Sequence, residues 1–313
     1  MGQGGAALHL LLGDSRDLCC QSVRAALEAR DYPTQIISNP LVQPSRFAWR
    51  LSNEQSASQL VWDEKPRLLD EHIAGVLVRN IGWIDPSGWQ PDDLAYMQAE
   101  TQAALLAWLW SLACPVVNRY PAAIWYRPKV SLLCWQHQLR FCGLPTLETL
   151  VTNVEQEARD FGRRLALEGV AGVVYGPLTS DLRYLVTNNE DWSGLAAMQR
   201  CAPVCLTYPH GAAEFVCVAG DQVVWEGEPS TDAAQLEPAL RRFARATGLA
   251  FVEFAFAPTA QGICVIAVES NPHFERFGDT ARKQIVEGLV QFLTADVGDR
   301  RKAAAQSLKG SIL

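Results

Sequence analysis

Residues 265–274, VIAVESNPHF, run a stretch of β-formers straight into Glu269-Ser270-Asn271-Pro272. Side chains two apart on a strand share a face, so Glu269 and Asn271 present a carboxylate and an amide oxygen to one point. Pro272 stops the ladder just beyond them. Hard cations such as Mg²⁺ accept that donor set. A polar strand end before a turn is written with the same residues, so the surrounding elements have to decide. His210 and His273 also stand at predicted strand ends, where an imidazole either serves acid–base chemistry or faces solvent. The nine cysteines form no C-x-x-C pair, the closest groupings being Cys19-Cys20 and Cys201-Ala-Pro-Val-Cys205, and no histidine adjoins them. That pattern gives zinc little support and reads as reduced thiols.

The elements that must position these residues follow from periodicity and punctuation. AALHLLL at 6–12 reads as a buried strand, with Asp14-Ser15 capping a helix through about residue 30. Strands at 32–38 and 72–80 separated by amphipathic helices predict an open, mostly parallel α/β unit. Its first turn, Gly13-Asp14-Ser15, lacks G-x-G-x-x-G, so a dinucleotide site there is unsupported. A helix over 92–113 ends before Pro115, and the proline-containing stretch 115–128 marks a boundary. Helix, strand, charged helix and strand follow to residue 176. Beyond residue 200 strands dominate, with helices at about 232–247 and 280–294. The fold class is therefore α/β, an N-terminal open α/β domain over 1–120 followed by a two-lobed α+β domain. The lobes are expected at 121–198 and 199–300, with a polar tail at 301–313.

With 313 residues, 49% apolar and 19% charged, the chain has the composition of a globular protein with a sizeable core. A net charge of −7, from 27 basic and 34 acidic residues, argues against general nucleic-acid or anionic-membrane binding. The longest apolar stretch, 103–117, is short of a span and broken by Pro115, and no export signal opens the chain, so a cytoplasmic location is expected.

Four stretches in this order resemble the ATP-grasp superfamily, nearest its glutathione-synthetase-like and peptide-modifying carboxylate–amine ligases. PVVNRYPAAIWYRPK resembles the N-x-P…K entry to the first lobe, and CGLPTLETLVTN the helix-to-strand turn. YPHGAAEFVCVAGDQVV resembles the G-x-D-x-R strand, and GICVIAVESNPHF the closing E-x-N-P. The resemblance covers roughly residues 115–295. It implies ATP held between two lobes, phosphorylation of a substrate carboxylate, and attack of an amine or thiol on the acyl phosphate. By position it implies Lys129 on phosphate, Tyr208 at the adenine hinge, and Glu253, Glu269 and Asn271 as metal ligands for Mg²⁺.

The chain also departs from that pattern. Gly176 stands where a second phosphate-binding lysine is usual, Ala213 at the aspartate and Phe215 at the arginine of G-x-D-x-R. The interval 229–250 is short and lacks the basic loop of relatives. Arg241, Arg242 and Arg245 there read as one solvated helix face. Each missing charge-assisted phosphate contact is worth about 1.5–3 kcal/mol, so losing both weakens binding by orders of magnitude. The expectation is a degenerate, non-ligating member that binds a peptide, protein or small ligand in the inherited cleft, with ATP and Mg²⁺ binding weakened or lost. The alternative is an active ATP- and Mg²⁺-dependent carboxylate–amine ligase, with Arg127 or Arg183 replacing the lost cations. Relatives and the apolar helix LLAWLWSLA suggest a homodimer.

Overall fold

The computed structural model describes residues 7–38, 40–42, 45–52, 56–61, 68–79, 84–120, 130–178 and 183–295. Strand β1 (Leu8–Leu12) is apolar but for His9 and almost wholly buried, as a strand covered on both faces must be. It pairs in parallel with β2 (Thr34–Ile37) and β6 (Ile73–Val78), and β6 pairs with the short β7 (Val116–Val117), in the order β2-β1-β6-β7. Helix α1 (Leu18–Glu28) is capped by Asp17, whose carboxylate accepts from the Cys20 amide at 2.8 Å. The Asp14-Ser15 cap expected from sequence is therefore displaced: Asp14 accepts from the Arg16 amide and guanidinium instead.

Between β2 and β6 lies an antiparallel sheet that the sequence reading did not contain. It comprises β3 (Arg46–Leu51), β4 (Ser56–Val61) and β5 (Leu68–Leu69). β3 is at most half-buried along its length, so no clean apolar alternation marks it. Helix α2 (Pro91–Ser111) buries Leu105, Leu106, Trp108 and Leu109 within this chain's own core, and the Trp108 indole donates to Ser58 Oγ at 2.8 Å. Of the apolar residues that suggested a dimer, these four are covered by the chain itself, while Trp110 stays 55% exposed.

The next unit comprises α3 (Leu132–Phe141), β8 (Thr149–Thr152), α4 (Glu155–Leu167), β9 (Val173–Gly176), β10 (Tyr184–Val186), α5 (Asn189–Gln199) and β11 (Val204–Thr207). Its sheet has the order β10-β9-β11-β8. Neither β10 nor α5 was read from sequence, although Asn188 and Asp191 form a reciprocal cap at the start of α5. The last unit holds β12 (Glu214–Ala219), β13 (Gln222–Trp225), α6 (Thr231–Ala234), α7 (Glu237–Thr247), β14 (Phe251–Thr259), β15 (Gly262–Glu269) and α8 (Asp279–Thr294). Its sheet runs β13-β12-β14-β15. The single helix expected at 232–247 is two, because the chain breaks before Pro238 in the first turn of α7.

Alternation on β12 and β14 divides the core. Val216, Val218, Val252, Phe254 and Phe256 pack beneath α7, where Phe243 meets Phe254 edge-on at 5.2 Å. Cys217, Ala219 and Phe251 face the other way, towards α8. Helix α8 also packs against β6 and α1, and so joins the parallel sheet to the last one. Gly288 is required where α8 crosses β12, since a methyl group there would collide with the Ala219 carbonyl. Among the described residues no helix is long and apolar enough to cross a membrane.

Candidate functional site

Antiparallel pairing sets Glu253 of β14 opposite Glu269 of β15, and Cys217 of β12 on its other side. The Glu253 side chain is 1% exposed. A carboxylate so deeply buried needs partners, and both of its oxygens have them. Oε2 accepts from the His273 backbone N–H at 2.7 Å, and Oε1 is paired with the Arg276 guanidinium. The His273 ring nitrogen Nδ1 stands 3.7 Å from Oε2. Burial pushes the Glu253 carboxyl above its ordinary value, while the His273 amide and Arg276 pull it back.

Arg276 also lies over the ring of Phe215, its Cζ 4.2 Å from the centroid. Phe215 pairs with Ala255, two residues along β14 from Glu253, so ring and carboxylate share one face of the sheet. Phe215, which stands where the resemblance implies an arginine, thus has a guanidinium over it from the 3-10 turn Phe274–Arg276 after β15. Sequence reasoning missed Arg276. It follows Glu269 by seven residues across a turn, and no strand or helix period connects the two.

Asn271 is held in turn by Arg79, at the end of β6. The Arg79 guanidinium donates to Asn271 Oδ1 at 2.5 Å and to the Pro272 carbonyl at 3.1 Å, and it reaches Asp17 at 3.4 Å. It sits 5.5 Å from the Phe251 ring centroid with its side chain only 7% exposed. On the other side of the turn, the Ser270 carbonyl accepts from Asn118 at 3.0 Å and from the Tyr120 hydroxyl at 2.9 Å. Asn118 also exchanges hydrogen bonds with the Phe251 backbone, at 2.5 and 2.7 Å. The asparagine of the VVNRYP stretch is therefore a buried brace for the Glu-Ser-Asn turn.

Three of the oxygens expected to hold a divalent cation already have partners. Both Glu253 oxygens and the Asn271 amide oxygen are committed, two of them to guanidinium groups. Among the described residues no cluster of three or more acidic, histidine or cysteine side chains is placed to hold a metal.

About 10 Å along β15 from Glu269, at roughly 3.3 Å per residue, Ile266 lines a cleft between the two sheets. It is small, with a cavity volume of about 60 Å³, and Leu132, Val174, Pro177, Cys205, Thr207, Arg183 and His210 also line it. Alternation on β11 points Cys205 and Thr207 into the cleft while Leu206 joins the lobe core with Tyr208. The Tyr208 ring packs edge-on to Phe161, and its hydroxyl donates to Glu168 at 2.8 Å. Tyr208 thus serves the lobe's interior rather than the cleft wall. Burial raises the Cys205 thiol pKa against the opposing charge of Arg183, a basic neighbour the sequence did not reveal. Gly176 ends β9 opposite Cys205, and Lys129 and Arg127 lie outside the described residues. Arg241 and Arg245 meet Asp221 and Arg242 donates to the Cys142 carbonyl, all from the partly or largely exposed face of α7 that the sequence predicts.

No sequence-family profile and no curated protein matches the chain. Solved structures do. The macrocyclase MdnC from Microcystis aeruginosa MRC, bound with precursor peptide MdnA, aligns at a TM-score of 0.71 with 16% identity, covering 91% of this chain and 99% of that one. A RiPP-associated ATP-grasp ligase from Chryseobacterium gregarium, in complex with ADP and a leader and core peptide, gives 0.69 and 13% over 92% and 96%. The ATP-grasp ligase PsnB, complexed with minimal precursor, Mg and ADP, gives 0.68 and 18% over 92% and 98%.

Proposed function

Taking the ATP-grasp fold of this chain as the premise, we propose that it is a degenerate member that binds a peptide between its lobes and does not ligate it. One observation carries the reading: guanidinium groups occupy the oxygens expected to hold metal, Arg276 on Glu253 and Arg79 on Asn271. Phosphoryl transfer on this fold is positioning plus neutralisation of developing charge. A corner with its acidic and amide oxygens tied up, and with Gly176 and Phe215 in place of cations, supplies little of either. The peptide is inferred from the similar structures, whose cocrystallised partners are precursor and leader peptides. ADP and Mg accompany PsnB, and carrying them over to this chain runs against its own corner.

A second reading, the active ligase, draws on Arg183 in the cleft wall and Arg276 over Phe215 as relocated cations. Incubation with MgATP and a pool of acidic peptides separates the two. Binding without ADP release, and without any peptide losing a water by mass spectrometry, supports the degenerate reading. ADP release coupled to peptide dehydration establishes the ligase.

A further inference from the structure

The outer edge of the sheet β3-β4-β5 is open, and its chemistry selects what can close it. β3 pairs with β4 over its whole length without a bulge, and among the described residues no strand pairs with its other side. A regular edge of that kind is a template for another strand, which natural sheets blunt with bulges, prolines or charge. β3 has neither bulge nor proline, and its only charges are Arg46 and Arg50. Pairing divides its side chains between two faces. Phe47 and Trp49 lie opposite the buried Leu60 and Ser58, and Phe47 meets Trp108 of α2 edge-on at 5.4 Å. Arg46, Ala48 and Arg50 share the other face and are exposed. Strand rise sets the two arginines about 13 Å apart, with only the Ala48 methyl between them on that face. None of the three strands contains an acidic residue, although the chain carries a net charge of −7.

We propose that this edge docks an extended acidic strand of a second polypeptide, which adds to the sheet beside β3. Opposite charges directly across a ladder attract, and like charges repel. A second copy of this chain, joined antiparallel through the same edge, brings arginines opposite or diagonal to arginines. The chain's own residues 300–313, RRKAAAQSLKGSIL, are basic and carry the same wrong sign. An incoming strand with carboxylates four residues apart matches Arg46 and Arg50. Apolar residues at its alternate positions extend the layer of Phe47 and Trp49. No residue lining the cleft belongs to this sheet, so the proposal does not depend on what the cleft holds.

The experiment is fluorescence anisotropy of three labelled peptides on the full chain: EVTVEV, KVTVKV, and EVPVEV, whose proline breaks the ladder. EVTVEV should bind, and the other two should bind at least about tenfold more weakly. Arg46→Glu/Arg50→Glu, two changes at exposed positions, should weaken EVTVEV about tenfold and let KVTVKV bind in its place. No binding of EVTVEV up to about 1 mM overturns the proposal. So does equal binding of EVPVEV, or an EVTVEV affinity unchanged in the reversed variant. Sedimentation tests the remaining occupant. A wild-type dimer tightened by Arg46→Glu alone, which sets opposite charges across the two-fold, gives the edge to a second copy and also overturns it.

Discussion

Arg79 and Asn271 lie 192 positions apart in sequence and 2.5 Å apart in space, guanidinium nitrogen to amide oxygen. The contact ties the residue that follows β6 to the turn after β15. With Asp17, the same side chain reaches the cap of α1. A residue expected to serve a metal is thereby part of a joint between the N-terminal sheet and the last one.

If that joint is structural, Arg79→Met should cost about 3 kcal/mol, the scale for breaking a buried ionic contact and leaving its partners unmatched. Urea unfolding measures it directly. A loss below about 0.5 kcal/mol, the range of ordinary surface changes, would show that the contact contributes little.

Restoring the arginine at 215 should not restore a family-like site. Phe215→Arg removes the platform under Arg276 and sets two like charges side by side, at roughly 1–2 kcal/mol of lost stability. Adding Arg276→Leu should recover part of that loss. Thermal denaturation of the single and double variants tests the coupling, and purely additive losses would deny it.

Tyr208→Phe isolates a different role. The hydroxyl donates to Glu168 inside the lobe, so its removal should lower stability by about 1 kcal/mol and leave ligand affinity in the cleft unchanged. A change in adenosine or ADP affinity without a stability loss would place Tyr208 at the cleft after all.

His9 supplies a pH dependence. It is buried at the centre of the parallel sheet, with neither ring nitrogen hydrogen-bonded, although the Pro33 and Leu293 carbonyls lie near enough to favour a proton. Burial wins and lowers its pKa below the usual 6.5. The folded chain then stays neutral where the unfolded chain takes up a proton, so the contribution is full above about pH 6.5 and falls as pH drops below it. Melting temperatures between pH 8 and 5 should show a decline below about pH 6.5 that is shallower in His9→Leu. Equal slopes would remove His9 from the acid sensitivity.

Much of the frame was legible in the sequence because burial writes itself into period. The apolar run of β1, the alternation of β12 and β14, and the charged face of α4 all announced their elements. β3 and β4 were not legible, since a sheet half-open to solvent carries no apolar stripe. β10 was missed because three residues are too few to show a period, and α5 because its two faces differ little in polarity. At the site, Glu269 and Asn271 were found through their i, i+2 spacing. Arg276 and Arg79 were not, because their roles depend on contacts that cross a turn or 192 positions, and neither sets a local pattern. Tyr208 shows the converse: the resemblance implies a place at a hinge, but the parity of β11 turns the ring inward.

Whether guanidinium groups have closed the corner around Glu253 and Asn271 to metal is decided by the metal dependence of nucleotide binding. ATP should be titrated calorimetrically into wild type and Glu253→Gln, with Mg²⁺ and with EDTA. Affinity that is the same with and without Mg²⁺, or undetectable in both, is the expected result. Binding that appears only with Mg²⁺ and weakens in Glu253→Gln would show that the arginines yield to metal, and would contradict the claim.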